Sequence, residues 1–207
     1  MRADPAMLGV SGHERLPADI YETVDPRCLA ALLSVWTPHA EIWEPAAGNG
    51  RLVRGLEERG YRVFPSDIVD RGTVPGLRRC DFLAHSMAPT LELMGFMGRP
   101  YSIVTNPPYS EQDEFVARAL KMTIWSCGSV AMLLRHEWSC ARSRHVFLNH
   151  PAYDAKVTLT FRPFWFEPEA GKRGASPRHN YAWHIWDWSR PPGSPRDLYA
   201  HAERRKA

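Results

Sequence analysis

The sequence predicts an α/β fold: a mostly parallel sheet of seven strands, one of them antiparallel, with helices on both faces. Three observations predict it. Short apolar runs alternate with segments of helical spacing as far as "SRHVFLNH". The run from Val130 to Leu134 is apolar on both faces, as in a strand sandwiched between helical layers. Near the end, "KVTLTFRPFWF" and "YAWHIWDW" follow one another with no helix between them, which makes one strand antiparallel to the others.

The elements follow in order. Residues 1–19 show no clear periodicity and read as an extension. Asp25 before Pro26 is a helix start, an N-cap followed by proline in the first turn, and Leu29, Leu32, Leu33 and Trp36 then fall at helical spacing. "EIWEPAAGNG" is a strand running into a small-residue turn. "RLVRGLEERG" is a helix with Leu52, Val53 and Leu56 inward and Gly60 as its C-cap. "YRVFPSDI" is the second strand, "RRCDFL" a short third, and residues 89–97 read as helical. "YSIVTNPPY" is the fourth strand and its exit. Ser110 and Asp113 form a capping-box pattern before the helix "EQDEFVARALKMTIW". After "SVAMLLRHEW", the fifth strand, comes the short helix "SRHVFLNH", then the two β-rich runs. One domain spans residues 20–190, and the Pro-rich, charged tail 191–207 reads as disordered.

Bulk properties narrow the classes. The 207 residues suit a single α/β domain with a full core. No apolar run approaches the ~20 residues of a membrane span, and the first twenty residues hold no apolar block of a secretory signal. Cys28, Cys80, Cys127 and Cys140 form no C-x-x-C and no zinc-ligand cluster, so a cytoplasmic chain with reduced thiols and no metal is expected. Net charge is only +3, but residues 141–207 carry 12 of the 26 basic side chains and only 6 of the 23 acids. That asymmetry suits either a solvated face or a surface for a polyanion.

"EPAAGNG" places Gly48 and Gly50 where a ligand can approach the backbone. It is not a phosphate-binding loop, because Arg51 and Leu52 stand where Lys and Ser/Thr are needed. Nor is it the dinucleotide fingerprint, because Val53 replaces the third glycine. Asp67 ends the second strand, 19 residues after Gly48, where an acid can accept hydrogen bonds from ribose hydroxyls. Asp81 and Phe82 follow near the end of the third strand, and Phe82 offers a face to an adenine ring. A ribose- and adenine-bearing ligand without tightly held phosphates, such as S-adenosylmethionine, suits this set better than NAD.

With "NPPY" ending the fourth strand, the pattern resembles the class I S-adenosylmethionine-dependent methyltransferases, and within them the amino-group DNA methyltransferases of the adenine-N6 type in their small, single-domain phage or prophage form. The resemblance covers roughly residues 20–188 and implies a Rossmann-like fold. It assigns Thr23 to the cofactor's methionine carboxylate, although Val24 stands where the family usually has proline. Glu44, Ala46, Gly48 and Gly50 match the motif around the methionine end, Asp67 the ribose acid, and Asp81 with Phe82 the adenine pair. Asn106, Pro107, Pro108 and Tyr109 match the catalytic tetrad, with Asn106 also bordering the cofactor.

The chemistry agrees with that assignment. An aromatic exocyclic amine is a poor nucleophile because its lone pair is delocalised into the ring. Acceptors aimed at its N–H groups favour a more tetrahedral nitrogen and stabilise the charge that develops during transfer. The Asn106 side-chain oxygen is one acceptor, and in the family the Pro107 carbonyl is the other. The two prolines fix the turn, and Tyr109 supplies a face for the base. A target base in a duplex must be flipped to reach such a crevice. The segment 162–180 is the candidate substrate loop, with Lys172, Arg173, Arg178 and His179 placed for phosphate contact. Arg135 and His136, after the fifth strand, are further candidates, with an ion pair to Glu137 as the alternative. Trp183, Trp186 and Trp188 read as packing rather than base-stacking residues. DNA is the expected partner, with a homodimer or an accessory recognition partner to help a chain this short choose its site. RNA adenine, a protein glutamine amide and an inactive S-adenosylmethionine-binding subunit are the competing readings.

Overall fold

The computed structural model describes residues 23, 25–84, 95–96, 98–165, 179–191, 193 and 195–201. The extension 1–19 lies outside them, as does most of the helix expected at 89–97. Among these residues eight strands form one sheet: β1 Glu41–Glu44, β2 Arg62–Asp67, β3 Arg78–Arg79, β4 Ser102–Thr105, β5 Ser129–Arg135, β6 Tyr153–Leu159, β7 Tyr181–Asp187 and β8 Arg196–Ala200. Their order is β3-β2-β1-β4-β5-β7-β6-β8. Only β7 runs against the rest, antiparallel to both β5 and β6. The expected parallel sheet with one antiparallel strand is therefore present, with eight strands rather than seven. The extra strand, β8, lies in the segment expected to be disordered and pairs in parallel with β6.

Four α-helices flank the sheet among the described residues: α1 Pro26–Leu33, α2 Arg51–Glu57, α3 Gln112–Thr123 and α4 His145–Leu148. Helix α1 starts as its sequence directs, with the Asp25 side chain accepting the Arg27 N–H at 3.1 Å and Pro26 in the first turn. Helices α1 and α2 place Leu29, Leu32, Leu52 and Leu56 against one sheet face, on Val104, Leu133, Val157, Trp183 and Ile185. The opposite face buries Phe115, Val116 and Leu120 of α3 with Ile103, Val130, Met132 and Trp186. Trp183 and Trp186 are fully buried and Trp188 packs partly buried on the α3 face, as the sequence predicts.

One start signal differs. Helix α3 has Glu111 rather than Ser110 as its N-cap residue. The Asp113 carboxylate instead accepts from the Trp138 indole at 2.7 Å and the Arg144 guanidinium at 2.9 Å, a charge-assisted arrangement that ties α3 to the segment after β5. Among the described residues no helix is long and apolar enough to cross a membrane.

Candidate active site

Chain direction fixes where a ligand can bind. The sequence passes from β1 outward to β2 and β3, then returns to β4 on β1's other side, so the crevice opens at the carboxyl ends of β1 and β4. A cavity of about 660 Å³ lies there. Its lining joins Thr23, Glu44, Ala46, Gly48, Asp67, Asp81 and Phe82 to Asn106, Pro107 and Pro108. Residues up to 85 positions apart in sequence thus share one wall, and the size suits a nucleoside-bearing ligand.

Two buried acids organise the cofactor side. Glu44 ends β1 and is 1% exposed; its Oε1 accepts the Ala46 N–H at 3.0 Å. Burial pushes its carboxyl from 4.5 up to about 8, against the downward pull of the Thr105 hydroxyl and the Ala46 N–H, while Asp67 adds a smaller upward push. Glu44 is therefore largely protonated at neutral pH. Asp67 ends β2, and its Oδ2 accepts the Gly48 N–H at 2.9 Å while Oδ1 accepts the Val69 N–H at 2.9 Å. The carboxylate thus straps the β1–α2 turn to the end of β2 while still bordering the cavity.

The two glycines separate here. Gly48 lines the cavity with φ 54°. Gly50 is the N-cap of α2 at φ 76°, and a Cβ there would stand 2.8 Å from Val74 Cγ2. Its glycine is required by backbone conformation and packing, and it is not among the cavity's lining residues. Phe82 is 2% exposed, edge-on to Trp43 and tilted on Phe115, so most of its ring belongs to the core and only its rim meets the cavity. Asp81 is exposed and turns its Oδ1 to the Leu83 N–H.

The tetrad leaves β4 as a rigid exit. Pro108 is extended at φ −58° and ψ 133°, and a single 3-10 turn, Tyr109–Glu111, leads into α3. Asn106, Pro107 and Pro108 face the cavity, but Tyr109 turns away from it. The Tyr109 hydroxyl donates to the Tyr181 hydroxyl at 2.9 Å, and its ring meets Trp165 edge-on at 6.5 Å. Arg135 stands over that ring with its guanidinium carbon 4.9 Å from the centroid. Burial raises the Tyr109 hydroxyl well above its usual range.

The predicted nucleic-acid contacts divide. Arg135 packs on Tyr109. His136 donates its backbone N–H to the Asn180 carbonyl at 2.9 Å, and neither residue forms an ion pair with Glu137 among the described residues. His179 is exposed. Lys172, Arg173 and Arg178 lie outside the described residues. The sequence reading missed Ile68 and Arg71. Ile68 borders the cavity at 58% exposure, and an apolar residue directly after a strand-ending acid was a usable signal. Arg71 places Nη1 3.4 Å from Asp67 Oδ1; nothing in its surface-turn sequence marks it.

No protein-family model matches the chain, and no curated protein matches it. Solved structures do match. The 23S rRNA methyltransferase ErmE is 18% identical over 82% of this chain and 68% of its own, with a TM-score of 0.52. A methyltransferase subunit of a type I restriction-modification system from Streptococcus thermophilus is 16% identical over 84% of this chain, with a TM-score of 0.52. The chain spans only 45% of that subunit. A candidate hemolysin from Lactococcus lactis is 10% identical over 84% of this chain and 90% of its own, with a TM-score of 0.55. The architecture is thus the Rossmann-like fold of class I methyltransferases, as the sequence predicts.

Proposed function

We propose that the protein transfers a methyl group from S-adenosylmethionine to the exocyclic N6 amino group of adenine in DNA. The observation that carries this reading is the convergence of Asn106, Pro107 and Pro108, at the exit of β4, with Glu44, Gly48 and Asp67 on one cavity. The residues present fit the cofactor. Asp67 has lone pairs left after its two backbone hydrogen bonds, suited to ribose hydroxyls. Thr23, Glu44 and Ala46 would meet the methionine end, and Ile68, Asp81 and the rim of Phe82 the adenine. When bound, the cofactor supplies a methyl group on a positively charged sulfur.

The chain's own work is positional. Asn106 accepts a hydrogen bond from the target amine and favours the tetrahedral nitrogen that develops during transfer. Pro107 and Pro108 hold that acceptor in place without backbone N–H donors that would compete for it. No strong base is required before attack, because the nitrogen becomes acidic once alkylated. A duplex target must be flipped, and Lys172, Arg173, Arg178 and His179 are assigned to the phosphates around it. The reaction is assigned to the cytoplasm, with a second copy or an accessory subunit supplying site choice.

RNA adenine is the second reading, favoured by the shared fold of an rRNA methyltransferase. Incubation with methyl-labelled S-adenosylmethionine and DNA, RNA or total protein, followed by nucleoside digestion, separates the readings. N6-methyladenine from DNA is the expected product. Label confined to RNA or protein rejects the DNA assignment. Asn106→Ala is expected to abolish transfer while cofactor affinity stays within about tenfold, near 1.4 kcal/mol; full turnover in that variant removes Asn106 from its role.

A further inference from the structure

Tyr109 is fastened at three points that come from three parts of the chain. Tyr181 opens β7 and is 2% exposed; its hydroxyl accepts the Tyr109 hydrogen bond. Arg135 closes β5 and pairs directly across the sheet with Tyr181. Its guanidinium covers the Tyr109 ring at 4.9 Å, and the cation pulls the pKa of both phenols down against the upward push of burial. Trp165 packs edge-on against Tyr109 and, at 4.7 Å, against Tyr181. The stem that carries Trp165 is itself anchored. The Phe164 N–H donates to Asp25, and Arg27, bonded to Asp25 through two nitrogens, lies over Phe161. On the other side, the Arg162 Nε donates to the Asn180 side chain at 3.2 Å, one residue before Tyr181.

A surface arginine reserved for a phosphate has no need of this setting. The guanidinium sits over an aromatic ring, a setting in which a planar cation's shape matters as well as its charge. We propose that Arg135 and Tyr181 are positioning residues for methyl transfer. Together they hold the Tyr109 ring, and through it the turn from Asn106, in the orientation that receives the target base. Arg135 is thereby assigned to the alignment of the turn and not to the backbone of the nucleic acid. This inference rests on the proposed methyl transfer to a base, so its test needs a part that does not depend on turnover.

Two measurements together decide it. In steady-state assays, Arg135→Gln and Tyr181→Phe are each expected to lower kcat ten- to hundredfold, the scale of a small misalignment, while cofactor affinity stays within about twofold. The double variant is expected to lose much less than the product of the two, because both act on one ring. Arg135→Lys, which keeps charge without the planar shape, is expected to remain impaired. The salt dependence of DNA binding is expected to be unchanged in all of them. A slope reduced by about 0.7–0.9 in Arg135→Gln, with recovery in Arg135→Lys, would show a phosphate contact and overturn the assignment. Unchanged kcat in Tyr181→Phe also overturns it.

The second measurement needs no substrate. With 3-fluorotyrosine incorporated, the Tyr109 fluorine resonance is identified by its loss in Tyr109→Phe. It is expected to shift in both Arg135→Lys and Tyr181→Phe, two conservative changes that leave the core in place. A resonance that moves in neither rejects the contact network, whatever the enzyme methylates. A wild type that methylates no polynucleotide rejects the proposed function separately.

Discussion

The two halves of the candidate site are held by different forces. On the cofactor side, acidic side chains at strand ends grip backbone N–H groups: Glu44 holds Ala46, and Asp67 holds Gly48 and Val69. On the acceptor side, side chains grip one another, with Tyr109, Tyr181, Trp165 and Arg135 in one cluster. The first arrangement shapes a loop from contacts within and between adjacent strands. The second depends on residues separated by up to 72 positions, all of which must arrive before any of them is placed. The difference teaches that the cofactor side is set by side chains at the ends of neighbouring strands, whereas the acceptor side is set by how the last strands close the sheet.

Breaking one grip on each side should make that contrast visible. Asp67→Ala has the largest expected effect. It strands two part-buried N–H donors and should cost roughly 2–4 kcal/mol in urea melts, with cofactor affinity falling more than about tenfold by calorimetry.

The pH dependence comes next. Glu44 titrates at about 8 in the folded chain against an ordinary 4.5, so the fold holds a proton that the unfolded chain has released. Its contribution to stability is greatest at low pH and is lost as pH rises from 4.5 through 8. His184 lies fully buried in β7, its Nδ1 in a 2.9 Å hydrogen bond with the Tyr153 hydroxyl. Burial, with smaller contributions from Lys156 and His136, lowers it from 6.5 to about 3. Its contribution is therefore full above 6.5 and is lost as pH falls toward 3. The two slopes oppose one another between 4.5 and 6.5, and their joint contribution declines on either side by up to about 1.4 kcal/mol per pH unit. Glu44→Gln should abolish the decline between pH 6.5 and 8, about 2 kcal/mol, and leave the decline below pH 4.5 unchanged in pH-dependent urea melts.

Tyr109→Phe is expected to cost about 1 kcal/mol, one hydrogen bond, and to leave cofactor affinity within about twofold. The smallest effect belongs to Glu41→Ala at the opposite end of β1. Its ion pairs with Arg62 and Arg99 are at the surface, where the arginine side chains are 69% and 50% exposed. Loss of less than about 0.5 kcal/mol and unaltered turnover are expected.

Much of the cofactor side was legible in the sequence. A buried strand, a small-residue turn and a strand-ending acid are local signals, and they brought Glu44, Gly48 and Asp67 to one wall. The role of Gly50 was not legible, because the atom that excludes a Cβ there belongs to Val74, 24 residues away. Strand β8 escaped notice for a different reason. "RDLYA" is short, alternates in burial and follows a Pro-rich stretch, as an edge strand does. The tetrad identified the kind of turn after β4, but not the direction of Tyr109. That direction is decided by Tyr181 and Trp165, whose neighbourhood exists only once the sheet has closed. The tryptophans of β7 were legible as packing because apolar residues dominate a strand that is buried at every position.

The reversed direction of β7 decides where the connection from β6 begins and ends. Because β6 runs with β5 and β7 runs back, Leu159 and Tyr181 both stand at the sheet edge where β1 and β4 end. Phe164 ties one end to Asp25, while the His136 N–H to Asn180 carbonyl bond carries the β5–β7 ladder one residue further in the same register. The start of the connection thus hangs on a side chain and its return on the ladder, so a change at Asp25 would loosen Phe164 while Tyr181 keeps its register.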